Sequence, residues 1–324
     1  MKKTIPSLAL GLAAGAFFFT GCGPQSDEAS SSASSKPAEV TIPDAPDAAM
    51  KTIFTELSDG NGGILWQAMP ASYQADINKI VQLAGTKIDA ELYDQTFALV
   101  GRLGQIAGKQ KSFIVNTALM GQMEAAQKQQ LEDGIPAMVQ VLEVLTTSDL
   151  ATIASLKTFD GQRFCDSTVS ELAKLSIELS KLDDSEQPTL EDLSAAEFSV
   201  LEQTENSATL TMKVAGESDS AEMVKVENRW VPTEMATDWS KNMSEAIAGL
   251  EAISPEDIAA QKPQMLGVLT MLDGVLTQIE AAETQEQFDQ AIQGAMMPIM
   301  GLMMMGQGMG GAPAMPAGPM PTAP

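Results

Sequence analysis

From about residue 46 to residue 194 the apolar positions recur every three to four residues, the period of a helix with one buried face. Met50, Ile53, Phe54 and Leu57 share one such face, Tyr73, Ile77, Ile80, Val81 and Ala84 a second, and Leu172, Leu175, Leu179 and Leu182 a third. The stretch from Leu92 to Ala107 is apolar nearly all round, which predicts a helix in the middle of a bundle. Asp89 suits its N-cap, and Pro70 and Pro136 suit first-turn positions, where the missing N–H costs nothing.

The period then falls to two. Ala208, Leu210, Met212 and Val214 alternate with Thr209, Thr211 and Lys213, as in a strand buried on one face; Phe198 with Val200 and Val224 with Val226 alternate likewise. Turns are expected at Glu205-Asn206-Ser207, across Gly216 to Ser220, and at Asn228-Arg229. These strands form an antiparallel meander with one apolar face, which must lie against helices. Helices resume near Pro232. Ser254-Pro255-Glu256-Asp257 carries a capping serine, a first-turn proline and two acids, and Met265, Leu269, Leu272, Leu276 and Ile279 follow. Thr284-Gln285-Glu286-Gln287 reads as a capping box for a last helix bearing Phe288, Ile292, Ala295, Ile299 and Met303, kinked at Pro298. The expected fold is therefore α+β and predominantly α: a helical bundle with a three- to four-stranded antiparallel meander, at about 196–232, packed on it.

The two ends of the chain break these patterns. Lys2 and Lys3 precede an uncharged apolar run from Ile5 to Phe19, which leads to Thr20-Gly21-Cys22. That is the layout of a secretory signal, and its core falls short of the about 20 apolar residues of a permanent span. The end of the segment resembles the bacterial lipobox: Gly21 and Cys22 match, Thr20 is acceptable, and Phe19 stands where the family usually has Leu. The resemblance implies a lipoprotein precursor, acylated on Cys22 and cut ahead of it. Gly23 follows where an Asp would signal inner-membrane retention in the enterobacterial pattern, so the resemblance points to the periplasmic face of the outer membrane. From Gly23 to about Ala45 the chain is Ser, Ala, Pro and acidic residues, the composition of a tether. From Gly306 it is almost wholly Gly, Pro, Met and Ala, a tail expected to be disordered. The expected organisation is a signal over 1–21, a lipidated cysteine and tether over 22–45, one domain made of helices (46–194), the meander (195–232) and C-terminal helices (233–305), and the tail over 306–324.

Composition removes several chemistries. With no histidine in the chain, Ser-His-Asp and Cys-His catalysis and imidazole metal sites are excluded. With two cysteines and Cys22 acylated, Cys165 is left as a lone thiol, expected to be buried. The formal net charge of −24 becomes two units more negative when Lys2 and Lys3 leave with the signal; such a field opposes nucleic acid and favours cationic partners.

The remaining candidate sites each have a plainer reading. Met297, Met300 and Met303 could bind Cu(I) through their thioethers, or fill a core. Asp59-Gly60-Asn61-Gly62-Gly63 starts like a calcium loop, but Gly63 and Pro70 stand at ligand positions, so it reads as a turn. Gly104 to Lys109 is one residue short of a phosphate loop, has Gln110 where Ser or Thr is needed, and is rejected. Asp183-Asp184 and Glu191-Asp192 are carboxylate pairs among 43 acidic residues, where closeness in sequence says little. Trp66, Pro70, Ser72, Tyr73 and Asp76 form an aromatic and turn-forming cluster, similar to segments of uncharacterised bacterial envelope proteins and read as a staple packing Trp66 on the bundle. The hairpin Met223 to Pro232, a polar turn followed by Trp230, resembles the last hairpin of nuclear-transport-factor-like cone domains, which implies a binding module, although that fold needs a longer curved sheet. The expectation is a lipid-anchored binding or structural component of the cell envelope, with the membrane and an envelope protein as partners and no cofactor, catalytic residue or metal site. The alternatives are a carboxylate-based hydrolase of envelope polymer and a Met-rich Cu(I) carrier.

Overall fold

The computed structural model describes residues 40–181, 188–214 and 216–295. Helix α1 (Pro46–Ser58) opens with a first-turn proline and Asp47 and buries Ala49, Met50, Ile53 and Phe54, the face expected from the sequence. Short α2 (Gly63–Ala68) follows, then α3 (Ala71–Lys87) and α4 (Ala90–Lys109). The Asp89 carboxylate accepts a bond of 3.1 Å from Leu92 N, so α4 starts where its cap was expected. After α5 (Lys111–Asn116) comes α6 (Ala125–Thr146), then α7 (Ile153–Lys157) and α8 (Gly161–Phe164). A single wide turn, Cys165–Val169, links α8 to α9 (Ser170–Ser180). Leu175 of the expected apolar face is buried and Leu182 lies outside the described residues.

Two expectations are corrected in this half. Pro136 is not at a helix entry but inside α6, which begins eleven residues earlier, where the backbone N–H of Glu124 donates to Gln127 Oε1 over 3.0 Å. Helix α4 is not enclosed on all sides. It packs between α6 and α12 (Pro255–Glu280), and its third side stays open, with Leu103 half exposed. The contact with α6 is close because α4 presents Gly101, Gly104 and Gly108 there. A Cβ on Gly104 would stand 3.3 Å from Leu142, so the two backbones approach as only small residues allow.

Helix α10 (Leu190–Ala195) leads into the sheet, whose strands β1 (Glu197–Gln203), β2 (Ser207–Val214), β3 (Glu217–Val226) and β4 (Arg229–Pro232) pair antiparallel in chain order. The inner face carries Ala208, Leu210, Met223 and Trp230 against Ala49, Met50, Ile53 and Ile64, which is how the one-sided alternation is satisfied. Leu201 sits at a bulge in β1, between Val200 and Glu202, and remains exposed. The turn expected over Gly216–Ser220 is tighter than that: β3 already begins at Glu217, and Ser218 and Ser220 pair with Lys213 and Thr211.

Helix α11 (Thr233–Glu251) runs on from β4. Asp257 N donates to Ser254 Oγ at the start of α12, as expected. At the last helix, α13 (residues 285–295), Thr284 caps as expected, its Oγ1 accepting from Gln287 N, and only the reciprocal bond is displaced by one residue: the Gln287 side chain accepts from Glu283 N in place of Thr284 N. Phe288 and Ala295 are buried as expected; Pro298, Ile299 and Met303 lie outside the described residues. The fold is thus predominantly helical with a four-stranded antiparallel meander packed on it.

Candidate functional site

Each residue singled out in the sequence now has a place. Cys22, the tether to residue 39, Asp183-Asp184 and Met297, Met300 and Met303 lie outside the described residues. Asp59 to Gly62 forms the turn between α1 and α2, with Gly63 the first residue of α2, and Gly104 to Lys109 is helical, part of α4. Asp192 of the Glu191-Asp192 pair closes a capping box with Thr189. Hydrogen bonds from the Thr189 backbone and hydroxyl hold its carboxyl below the usual range, the opposite of what a general acid needs. Cys165 is buried; burial, with Asp166 beside it, pushes the thiol up to about 12. Among the described residues no three carboxylate or thiol side chains converge on a place for a metal ion.

The Trp66 to Asp76 cluster divides in two. Trp66 is buried against Phe159, Phe164 and Cys165, the staple expected of it. Tyr73 and Asp76 face elsewhere, toward Trp239 on α11. The rings of Tyr73 and Trp239 stack with centroids 3.9 Å apart, and the indole Nε1 donates to Asp76 over 3.0 Å. Burial, then the charges of Glu227 and Asp76, raise the Tyr73 phenol above its ordinary value, so it stays protonated.

Beside this stack, Met69, Ala71, Gln74, Glu227, Asn228 and Arg229 line an open depression of about 470 Å³. Its floor is built from two distant pieces of chain. Helix α3 follows Pro70, whose side chain has no acceptor with which to cap the helix. The carboxylate of Glu227 does so instead, accepting from Ser72 N over 3.0 Å. Bonds from Ser72, side chain first and then backbone, hold the Glu227 carboxyl below its usual range. Glu227 (φ 48°) and Asn228 (φ 61°) are the two residues of the β3–β4 turn, both left-handed, as this tight hairpin requires. Asn tolerates that conformation more readily than Glu does. The hydrogen bond to Ser72 gives Glu227 a reason to hold it. Gln74 Nε2 is committed to the carbonyls of Trp66 (2.7 Å) and Met69 (3.2 Å). Arg229 makes no ion pair among the described residues, so the depression offers one guanidinium and one carboxylate already in use. Such a wall can hold a polar or anionic group, but it has no acid and base placed across a reacting atom.

A second structured feature went unnoticed in the sequence. Residues 40–45, part of the expected tether, pack against the domain. Val40 and Ile42 touch the core shared by α1 and the sheet. Asp44 is the fastening: its carbonyl accepts from Trp230 Nε1 over 2.7 Å, and its carboxylate pairs with Lys225. The Lys225 ammonium in turn lies 5.3 Å from the centre of the Trp230 ring. The hairpin that resembles a cone-domain element therefore grips the chain's own N-terminal approach. The only local signal was the alternation of Val40 and Ile42, too short to stand out against the Ser, Ala and Pro before it.

Among the described residues no helix is long and apolar enough to cross a membrane. No family model, no curated protein and no solved structure matches this chain.

Proposed function

We propose that this chain is the precursor of a bacterial lipoprotein whose mature form, acylated on Cys22, is a non-enzymatic binding or structural component of the cell envelope. The observation that carries the reading is the run of Lys2-Lys3, an uncharged apolar core and Thr20-Gly21-Cys22. Two or more acyl chains on one cysteine anchor a soluble body stably, because each buried methylene contributes about 0.8 kcal/mol. From Cys22 to Val40, the first residue the structure describes, the polypeptide reaches at most about 60 Å, so the domain works close to the lipid surface. Gly23 after the cysteine favours the outer membrane as its address.

The binding reading over the hydrolase draws support from the acidic residues. Among the described residues the carboxylates displaced from their ordinary values, Asp89, Asp192, Glu227, Glu280 and Asp289, all move down, toward the permanently charged state. They are held by helix caps, hydroxyls, Arg102 and Lys262. Glycoside hydrolysis requires one carboxyl raised far enough to deliver a proton. The strongly acidic surface selects for a cationic protein partner and against nucleic acid.

The test is chemical. The N-terminal peptide of protein isolated from membranes should begin at Cys22 and carry acyl mass, and a Cys22→Ser chain should leave the envelope fraction. A native peptide without acyl mass, or a serine variant that sediments with envelopes as the wild type does, removes the reading.

A further inference from the structure

The chain has three arginines. Arg102 on α4 pairs with Asp273 and Glu280 of α12, and Arg163 on α8 pairs with Asp149 at 2.7 Å, so both are spent on joining parts of the fold. Arg229, half-buried at the head of β4, has no ion pair and no side-chain hydrogen bond among the described residues. Partner carboxylates are plentiful, with 43 acidic residues against 19 basic ones in the chain, and still this guanidinium stands without one. It lies on the wall of the depression of about 470 Å³ between the start of α3 and the β3–β4 turn.

The neighbours on that wall divide in the same way. Glu227, two residues before Arg229, is committed to the start of α3 through Ser72 N, and its negative charge is held there by the unpaired N–H groups of the helix end. The Gln74 amide donates to the carbonyls of Trp66 and Met69. The side-chain amide of Asn228, like the guanidinium, makes no hydrogen bond among the described residues. Two donors without acceptors therefore stand together beside the apolar sides of Met69 and Ala71.

The backbone beneath these donors is fixed. Arg229 pairs with Val226 across the tight turn, Glu227 is tied to α3, and Trp230, the next residue, is buried and bonded to Asp44. A donor that starts from a fixed position loses little freedom when it takes an acceptor. The guanidinium fork matches a carboxylate through two parallel bonds. A ligand with a second negative charge would stand against the Glu227 carboxylate and in the field of a strongly acidic chain, so one charge suits the place better than two.

We propose that this depression binds a small organic acid with a single carboxylate, held by the guanidinium of Arg229 and the amide of Asn228, with a short apolar body against Met69 and Ala71. The proposal rests on the binding reading given above and names a ligand class for it.

The test uses the full chain with Cys22→Ser, which carries no lipid, at constant ionic strength. Phenylglyoxal labels accessible guanidinium groups, and peptide mass mapping distinguishes the three arginines. Saturating hexanoate should slow the labelling of Arg229 at least about fivefold and leave Arg102 and Arg163 within about twofold of their own rates, because a bound ligand shields the group it occupies. Inorganic phosphate at the same concentration should protect Arg229 less. Unchanged labelling of Arg229 in hexanoate, or protection by phosphate as strong as that by hexanoate, overturns the proposal. This arm needs no substitution in the depression, so misfolding of a variant cannot decide it. Equilibrium dialysis of radiolabelled hexanoate gives a second reading. Arg229→Gln should weaken binding at least about tenfold, the scale of lost hydrogen bonds to a charged group, and Arg229→Lys, which keeps the charge without the fork, should restore only part of it. Equal binding by the glutamine variant and the parent chain overturns the proposal as well. None of these results bears on the acyl mass at Cys22, so this proposal and the lipoprotein reading fail separately.

Discussion

The indole of Trp239 lies flat on the ring of Tyr73, 3.9 Å between centroids and within 7° of parallel, and so fastens α11 to α3 across the fold. No residue of α11 is fully buried, and this stack with its bond to Asp76 is the firmest hold that helix has on the rest of the molecule. Trp239→Ala should lower the unfolding free energy by about 2 to 3 kcal/mol, the lower part of the range for removing a large aromatic side chain, because Trp239 is only half buried. Trp239→Phe keeps a stacking ring and loses the Asp76 bond, with a cost near 1 kcal/mol. Urea titration of the two variants checks the order; an alanine variant as stable as wild type would show that the stack contributes nothing.

Gly161 touches the face of Trp66: a Cβ there would stand 2.1 Å from Cη2 and Cζ3 of the indole. Trp66 is walled in by Phe159, Phe164 and Cys165 and has little room to retreat. Gly161→Ala should therefore destabilise by about 1 to 3 kcal/mol, the usual cost of overpacking, and alter the near-ultraviolet circular dichroism of the tryptophans. Replacing Gly274 by Ala, where a Cβ meets nothing within 4 Å, serves as the matched control and should be neutral or slightly stabilising.

Acid should weaken the domain. Burial pushes the Asp89 carboxyl up, but bonds from Lys262 and from Leu92 N outweigh it and the result is a lowered value. Glu280 is lowered chiefly by Arg102, and Asp192 by Thr189. A carboxyl that is more acidic folded than unfolded lends stability that is fully present above its unfolded value, near 4, and is lost as pH falls through the folded value. Urea midpoints should accordingly hold steady from about pH 7 to 5 and drop below about pH 4. Asp89→Asn should flatten part of that drop. An unchanged profile in the variant would mean the Asp89–Lys262 pair does not bind α4 to α12 more strongly than it binds water.

Cys165 should be inert while the chain is folded. Its thiol is buried and ionises only at about 12, so almost no thiolate exists at pH 8. In a Cys22→Ser chain, labelling by an aromatic disulfide reagent should be slower by about 100-fold or more in buffer than in strong denaturant, with the native rate set by opening of the structure. Rapid labelling of folded protein would place the thiol at an accessible surface.

Which parts could be read in advance depends on how far the deciding partner lies along the chain. Asp89 and Ser254 bond to N–H groups three residues away, and both helix starts were plain from local spacing. Pro136 misled because proline marks helix entry in general; here Glu124 and Gln127 had already opened the helix, and α6 tolerates the proline within it. The cap on α3 was beyond reach of any local rule, since Pro70 supplies none and the acceptor, Glu227, comes from 155 residues downstream. Tyr73 and Asp76 drew notice as a cluster, but their partner Trp239 sits in an amphipathic helix with no other mark. The strand alternation located the sheet well, and only its tight turn at Gly216 was misjudged, because Ser218 and Ser220 look like turn residues while standing on an open polar face.

The grip of Asp44 on Trp230 and Lys225 also decides how the molecule bears force. A tug arriving through Val40 is delivered to the ends of β3 and β4, beside the hydrogen bonds that hold those strands together, and from there to α1. The layer of α4, α6 and α12 is not in that line. A domain towed by its sheet can thus shear or brace at one end while the helices at the other stay unstrained and keep their shape for whatever they meet.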